Sequence, residues 1–289
     1  MKILVIGSGF VAGPIVEKLQ LEGHELMVFS RSASARLKCN QVQGDIFDFK
    51  NFIEVLAWEP EIVIHTAWIT TPGIYKSDPS NFEYAKFTVN LANFISQSSV
   101  KHLIVMGSCA EYGYQHVSST AGLTQTSPNL LYSQQKVAAF LATQEILQTA
   151  TTRFTWARLF YPYGQNQHEK RLIPHLIHSL NNEIPIRLSD ISSVYDWIST
   201  RDVASAISWI IAHDLPIEID IGTTAGFTNL QLLTILQDLL QVKQQPAAGQ
   251  EHEIGLGEFF VTGKDSPLLV SGWQPKDTLR SGLEWILGR

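Results

Sequence analysis

Two cysteines in 289 residues, Cys39 and Cys109, are too few for a disulfide framework or a four-cysteine zinc site. Charge is scarce as well: Asp, Glu, Lys and Arg make up 17% of the chain, against roughly 25% in an average domain. With 45% hydrophobic residues, that composition excludes intrinsic disorder. The 21 basic side chains against 27 acidic ones leave a net charge of −6, so no nucleic-acid partner is expected. A few local Arg or Lys still suffice for a small anionic substrate. No run approaches the ~20 apolar residues of a membrane helix, so no membrane partner is expected either. The opening Met1–Gly7 breaks after four apolar residues, too short for a signal-peptide core. Nine histidines show no H-x-x-x-H or comparable spacing with carboxylates, and no metal is expected. What remains is a reduced, cytoplasmic, soluble protein, long enough to bury roughly three-quarters of its unfolded surface.

Up to about residue 164, short apolar runs alternate with helix-length segments. The runs are Ile3–Ile6, Leu26–Phe29, Ile62–His65, Leu103–Met106 and Phe154–Leu159; the helical stretches are 12–22, 47–57, 80–98 and 132–149. Strands apolar throughout, separated by amphipathic helices, predict a parallel sheet covered on both faces, a doubly wound Rossmann-type α/β fold. Beyond Gly164 the rhythm changes, with helices predicted over 171–182, 201–212, 229–241 and 276–287 and a strand at Ile217–Ile221. Residues 243–257, rich in Gln, Gly and Ala, read as a surface connection. The predicted organisation is a dinucleotide-binding unit over 1–164, to which 196–224 returns. A smaller interleaved substrate lobe takes 165–195 and 225–289.

Gly7-Ser8-Gly9-Phe10-Val11-Ala12 directly follows the first strand and opens a helix. It is the G-x-G-x-x-A form of the dinucleotide fingerprint. Gly7 permits the tight turn, Gly9 lets backbone approach a pyrophosphate, and Ala12 allows close helix–strand packing with the helix N-terminus facing the anion. The second strand ends in Phe29-Ser30-Arg31-Ser32, without the carboxylate that reads the ribose of NAD. Arg31 can pair with a 2′-phosphate, helped by Ser30 or Ser32, which favours NADP(H) over NAD. Asp45 and Ile46, after the third strand, and Thr66 and Ala67, after the fourth, complete the expected cofactor edge.

Tyr132 and Lys136 begin a helix after Pro128, and a spacing of four puts them on one face. A phenol ionises near pH 10, and a neighbouring ammonium favours its anion. The pair can therefore exchange a proton with a substrate hydroxyl or carbonyl. Ser108 emerges at the carboxyl end of the fifth strand, placed to hydrogen-bond the same oxygen.

Taken together, the chain resembles the extended short-chain dehydrogenase/reductase family, in its NAD(P)-dependent epimerase/dehydratase branch acting on nucleotide sugars. The resemblance runs nearly end to end. It rests on the turn at 7–12, Gly-Asp-Ile-Phe-Asp at 44–48, Val-Ile-His-Thr-Ala at 63–67, Ser108…Tyr112-Gly113 and Tyr132…Lys136. It continues through Arg158-Leu159-Phe160…Tyr163-Gly164, Arg201-Asp202-Val203-Ala204 and Gly272-Trp273-Gln274-Pro275. The resemblance implies that Tyr132 is the general acid/base. Lys136 would lower its pKa and hold the nicotinamide ribose, and Ser108 would orient the substrate oxygen. Phe160, Tyr161 and Pro162 fall where the family packs its nicotinamide.

Three departures shape the expectation. Family dehydratases place an Asp-Glu pair immediately after the Ser108 position, where this chain has Cys109 and Ala110; Glu111 is displaced by one residue. Tyr195 stands where members often carry an Arg that grips a diphosphate, with Arg171, Arg187 or Lys170 as replacements. Tyr161 stands where Asn is frequent. The favoured activity is an NADPH-dependent reductase of a keto-sugar, nucleotide-linked or related. The alternatives are an NAD-retaining sugar-nucleotide epimerase and a non-catalytic NADP(H)-binding redox regulator. A homodimer is left open.

Overall fold

A computed structural model of the chain describes residues 1–188, 191–242 and 258–289. The stretch 243–257 read above as a surface connection lies outside the described residues. In chain order the elements are β1 (Lys2–Ile6), α1 (Ala12–Leu21), β2 (Glu25–Ser30), β3 (Asn40–Gln43), α2 (Phe49–Leu56), β4 (Ile62–His65), α3 (Asn81–Ile95) and β5 (His102–Ser108). There follow α4 (Leu131–Leu147), β6 (Arg153–Leu159), β7 (Tyr161–Tyr163), α5 (Leu172–Asn181), β8 (Val194–Ser199), α6 (Thr200–Ala212) and β9 (Glu218–Ile221). The last are β10 (Gly226–Thr228), α7 (Asn229–Leu240), β11 (Phe259–Phe260), α8 (Pro267–Val270) and α9 (Leu279–Leu287).

Seven strands form one parallel sheet in the order β3-β2-β1-β4-β5-β6-β9. The period-two alternation of a strand explains why its apolar runs are unbroken. In β1, Leu4 and Ile6 pack with Phe52, Leu91 and Phe140 of α2, α3 and α4. Ile3 and Val5 pack with Ile15, Leu19, Ile207 and Ile210 of α1 and α6. Strand order reverses between β1 and β4, and such a reversal opens a crevice at the carboxyl ends of the strands. Every candidate cofactor turn lies along that edge.

The second lobe departs from the sequence reading at β8. Residues 196–224 do not return to the main sheet as one piece: α6 packs on α1 and β9 pairs with β6, but β8 belongs to a separate small sheet. There β8 pairs with β10, β11 and β7. The reason is packing, since Tyr195 and Trp197 of β8 are buried with Phe160, Leu232, Leu236 and Phe260 in a third core cluster. Two of the family-like motifs prove to be fasteners. Asp202 accepts the N–H groups of Lys276 and Asp277 at 2.9 Å, which holds that segment out of helix. Helix α9 therefore starts behind the Thr278 cap rather than at 276. Trp273 donates to Ser205 Oγ at 3.0 Å, docking the Gly-Trp-Gln-Pro segment on α6.

Candidate active site

The turn after β1 is shaped by Gly7, whose φ of 107° only glycine adopts without strain. A Cβ there would meet Thr66 Oγ1 at 2.6 Å, and Thr66 is fixed by donating to the Ile6 carbonyl at 2.8 Å. A Cβ on Gly9, by contrast, would meet nothing within 4 Å. The turn is thus packed against β4 on one side and open on the other. Phe10, Val11 and Ala12 carry it into α1, where the Gly13 N–H donates to the Gly9 carbonyl at 3.3 Å and Pro14 has no N–H, so the Ala12 end of the helix is the part left to face an anion. This is a fit for a pyrophosphate.

Along the same edge, Arg31 is exposed and borders a cavity of about 270 Å³ with Phe47, Trp68, Thr70, Thr71 and Tyr84. The Ser30 hydroxyl, expected to be available, is buried and donates to the Ser32 carbonyl at 2.9 Å. One Asp45 oxygen accepts the Phe47 N–H at 3.0 Å, leaving the other as the acceptor in this turn. Ile46 is buried in the core, so its part in the edge is backbone.

Ser108, Tyr132 and Lys136 come together as the spacing implied. Ser108 closes β5 and caps a short 3-10 turn, Cys109–Tyr112, by accepting the Ala110 N–H at 3.3 Å. That bond leaves its O–H to donate. Tyr132 enters α4 with its N–H on the Lys76 carbonyl at 3.1 Å, and its ring packs edge-on against Tyr75 with centroids 5.1 Å apart. Lys136 is buried and donates to the Met106 carbonyl at 2.6 Å.

The electrostatics of the pair differ from the expectation in one respect. Tyr132 is not drawn down toward its anion. Burial pushes its pKa above the ordinary phenol value, and the hydrogen bond with Ser108 is the largest influence against that rise. Spacing shows the ammonium near the ring but not how much water is lost, and desolvation wins. The phenol therefore stands protonated. Burial also draws Lys136 down to about 7, with Glu111 acting in the opposite direction.

Glu111, one residue beyond the family's elimination pair, points into the protein. Its carboxylate accepts from Ser108 N at 2.7 Å, Trp156 Nε1 at 2.9 Å and Arg158 Nε at 2.7 Å, and both charged side chains are fully buried. Arg158 also pairs with Glu218 at 2.6 Å. Glu111 is committed to holding the end of β5 and is not free to act on a substrate. Cys109 is buried and its thiol is held well above the ordinary range by burial, as befits packing rather than nucleophilic attack.

The second lobe's candidates divide. Arg171, at the start of α5, reaches back to the Thr70 carbonyl at 2.6 Å and lies over the Tyr75 ring at 5.3 Å, spanning from the second lobe to the loop after β4. Arg187 is exposed on the loop after α5, and no hydrogen bond, ion pair or ring contact among the described residues joins it to the trio. Tyr195 is buried in an aromatic cluster, 4.3 Å from Tyr161 and stacked on Phe260 at 6.3 Å. Phe160 is likewise in that lobe's core, leaving the half-buried Tyr161 and Pro162 as the side chains at this edge. Trp68, Tyr75 and Tyr84 were not singled out from the sequence. The one available signal was a bulky Trp68 directly after the small Thr66-Ala67.

The match to known proteins follows this geometry. Residues 3–222 match the NAD dependent epimerase/dehydratase family. The chain belongs to that family. The UDP-glucose 4-epimerase of Thermus thermophilus, solved in complex with NAD, superposes with a TM-score of 0.86 at 22% identity, covering 100% of this chain and 99% of that one. A low-salt glycan biosynthesis protein of Haloferax volcanii is 21% identical over 84% of this chain and 79% of its own length. The CDP-abequose synthase of Salmonella typhimurium is 26% identical over 47% of this chain and 48% of its own length. As a family member, the chain is an NAD(P)-dependent enzyme of the extended short-chain dehydrogenase/reductase type. Among the described residues, no helix is long and apolar enough to cross a membrane.

Proposed function

We propose that the chain is an NADP(H)-dependent reductase acting on the keto group of a sugar nucleotide or related sugar. The observation that carries this reading is the grouping of buried Tyr132 with Ser108 and Lys136, next to a turn that fits a pyrophosphate. Reduction of a carbonyl needs a proton delivered to the oxygen, and a phenol held in its acid form is poised to give one. Ser108 donates a hydrogen bond to the same oxygen and aligns it. Lys136 supplies positive charge within reach of the phenol and would hold the nicotinamide ribose. The nicotinamide, when bound, supplies the hydride. Gly7, Gly9, Phe10, Val11 and Ala12 would hold the pyrophosphate, Thr66 and Ala67 would let backbone close on the cofactor, and Pro162 would stand on the nicotinamide side. Glu111, locked on Arg158, offers no acid for a leaving hydroxyl, which separates this site from the dehydratases. Arg171 is the cation placed to exchange its Thr70 contact for an anionic group of the substrate.

Preference for NADP(H) rests on Arg31, which meets no carboxylate in an ion pair among the described residues and borders the cavity at the β2 end. Titration of both cofactors against wild type and Arg31→Ala checks it. The mutant is expected to lose roughly 10- to 100-fold in NADP(H) affinity, the worth of hydrogen bonds to a charged group, with NAD(H) affinity unchanged. Equal or tighter binding of NAD(H) by wild type would refute the preference.

A further inference from the structure

The Lys136 ammonium has a partner that the sequence does not disclose. It lies 3.8 Å from the centre of the Trp68 ring, while the Tyr132 and Trp156 rings are both 5.9 Å away. The indole itself is fixed. Its Nε1 donates to Asn81 Oδ1 at 2.8 Å, and the wholly buried Asn81 donates in turn to the carbonyls of Tyr75 and Asp78 at 2.8 Å. Tyr84 stacks against the indole at 5.6 Å, and Tyr132 meets it at right angles at 6.4 Å. One side chain thus contacts both members of the catalytic pair.

We infer that Trp68 is a positioning residue: its ring face keeps the Lys136 ammonium charged and seated beside Tyr132, with Asn81 holding the ring. The inference rests on the proposed roles of Tyr132 and Lys136 and adds what lets the pair operate in a dry site. A buried ammonium is penalised by lost hydration, and the Met106 carbonyl at 2.6 Å returns one hydrogen bond of those lost. Glu111, from the turn after β5, is the carboxylate that favours its charge, and Glu111 is already bonded to Arg158. His65 of β4 is neutral, drawn down to about 3 by burial and by Lys136 itself. Tyr132, on the same helix, is held as the uncharged phenol. The electron-rich face of an indole attracts a cation most strongly where water is excluded. A leucine would fill much of the space and supply none of that attraction.

The ammonium can be read directly, without turnover. In the full chain carrying isotope-labelled lysine, the Lys136 Cε resonance is assigned by its loss in Lys136→Arg and titrated by NMR. Trp68→Leu is expected to lower the midpoint by about one pH unit, a tenfold change in the protonation equilibrium, whereas Trp68→Phe, which keeps a ring face, shifts it less. Ring-fluorinated tryptophan at position 68 alone preserves shape while weakening the face, so it tests the same point should Trp68→Leu fail to fold. The midpoint is expected to fall with each added fluorine. A midpoint unmoved by fluorination overturns the inference. A wild type that consumes no NADPH while its midpoint still responds to fluorination would count against the proposed reaction and not against Trp68.

Discussion

Tyr132→Phe is expected to reduce kcat by roughly 100- to 10,000-fold, the range that a positioned general acid contributes, while NADP(H) affinity changes little. The substitution removes one oxygen and leaves the ring packed on Tyr75 and Trp68, so the fold and the Gly7–Ala12 turn are undisturbed. On the proposed reading the Tyr132 phenol, kept in its acid form by burial, would be the proton source in the direction of reduction. Steady-state kinetics alongside cofactor titration separate the two quantities. A mutant that keeps most of the wild-type rate on an accepted substrate would remove Tyr132 from the mechanism.

The second large effect concerns stability. Glu111→Ala leaves the Arg158 Nε, the Trp156 indole N–H and the Ser108 N–H without their buried acceptor. Breaking one side of a buried ion pair costs about 3–5 kcal/mol. For a chain of this size that corresponds to a fall in Tm of roughly 5–8 °C. The Glu111→Leu/Arg158→Met double replacement removes both fully buried charges and is expected to be less destabilised than Glu111→Ala alone, because the carboxylate that then loses its partner, Glu218, is partly exposed. Thermal denaturation of the three proteins decides the matter. A double replacement less stable than the single one would show that the pair contributes net stability beyond satisfying its own burial. Because Glu111 also grips the Ser108 N–H, Glu111→Ala should slow turnover even at temperatures where it remains folded.

Much of the architecture could be read from the chain because its parallel strands are apolar on both faces. Ile3–Ile6 and Leu103–Met106 announce themselves without periodicity, and the turn at Gly7 needs only its position between strand and helix. Ser108, Tyr132 and Lys136 were legible for a similar reason, since a strand end and a spacing of four fix where each stands. Contacts between segments distant along the chain were not. Trp68 meets Lys136 only because β4 neighbours β5, and no local pattern signals an indole over an ammonium. Glu111 looked like a displaced acid until its pairing with Arg158, contributed by the adjacent β6, showed it to be structural. The direction of the Tyr132 shift turned on water exclusion, which residue spacing does not encode. The separate sheet around β8 depends on Tyr195 finding Phe260, more than 60 residues away.

The central claim, net reduction powered by NADPH, is tested most directly by one measurement. Purified protein is mixed with NADPH and a panel of keto-sugars, free and nucleotide-linked, and cofactor oxidised is compared with keto-sugar consumed. Protein that arrives largely free of nucleotide and oxidises NADPH in proportion to the keto-sugar reduced is the expected result. Protein that carries tightly held NAD and interconverts two sugars without net oxidation of cofactor would contradict it and identify an epimerase.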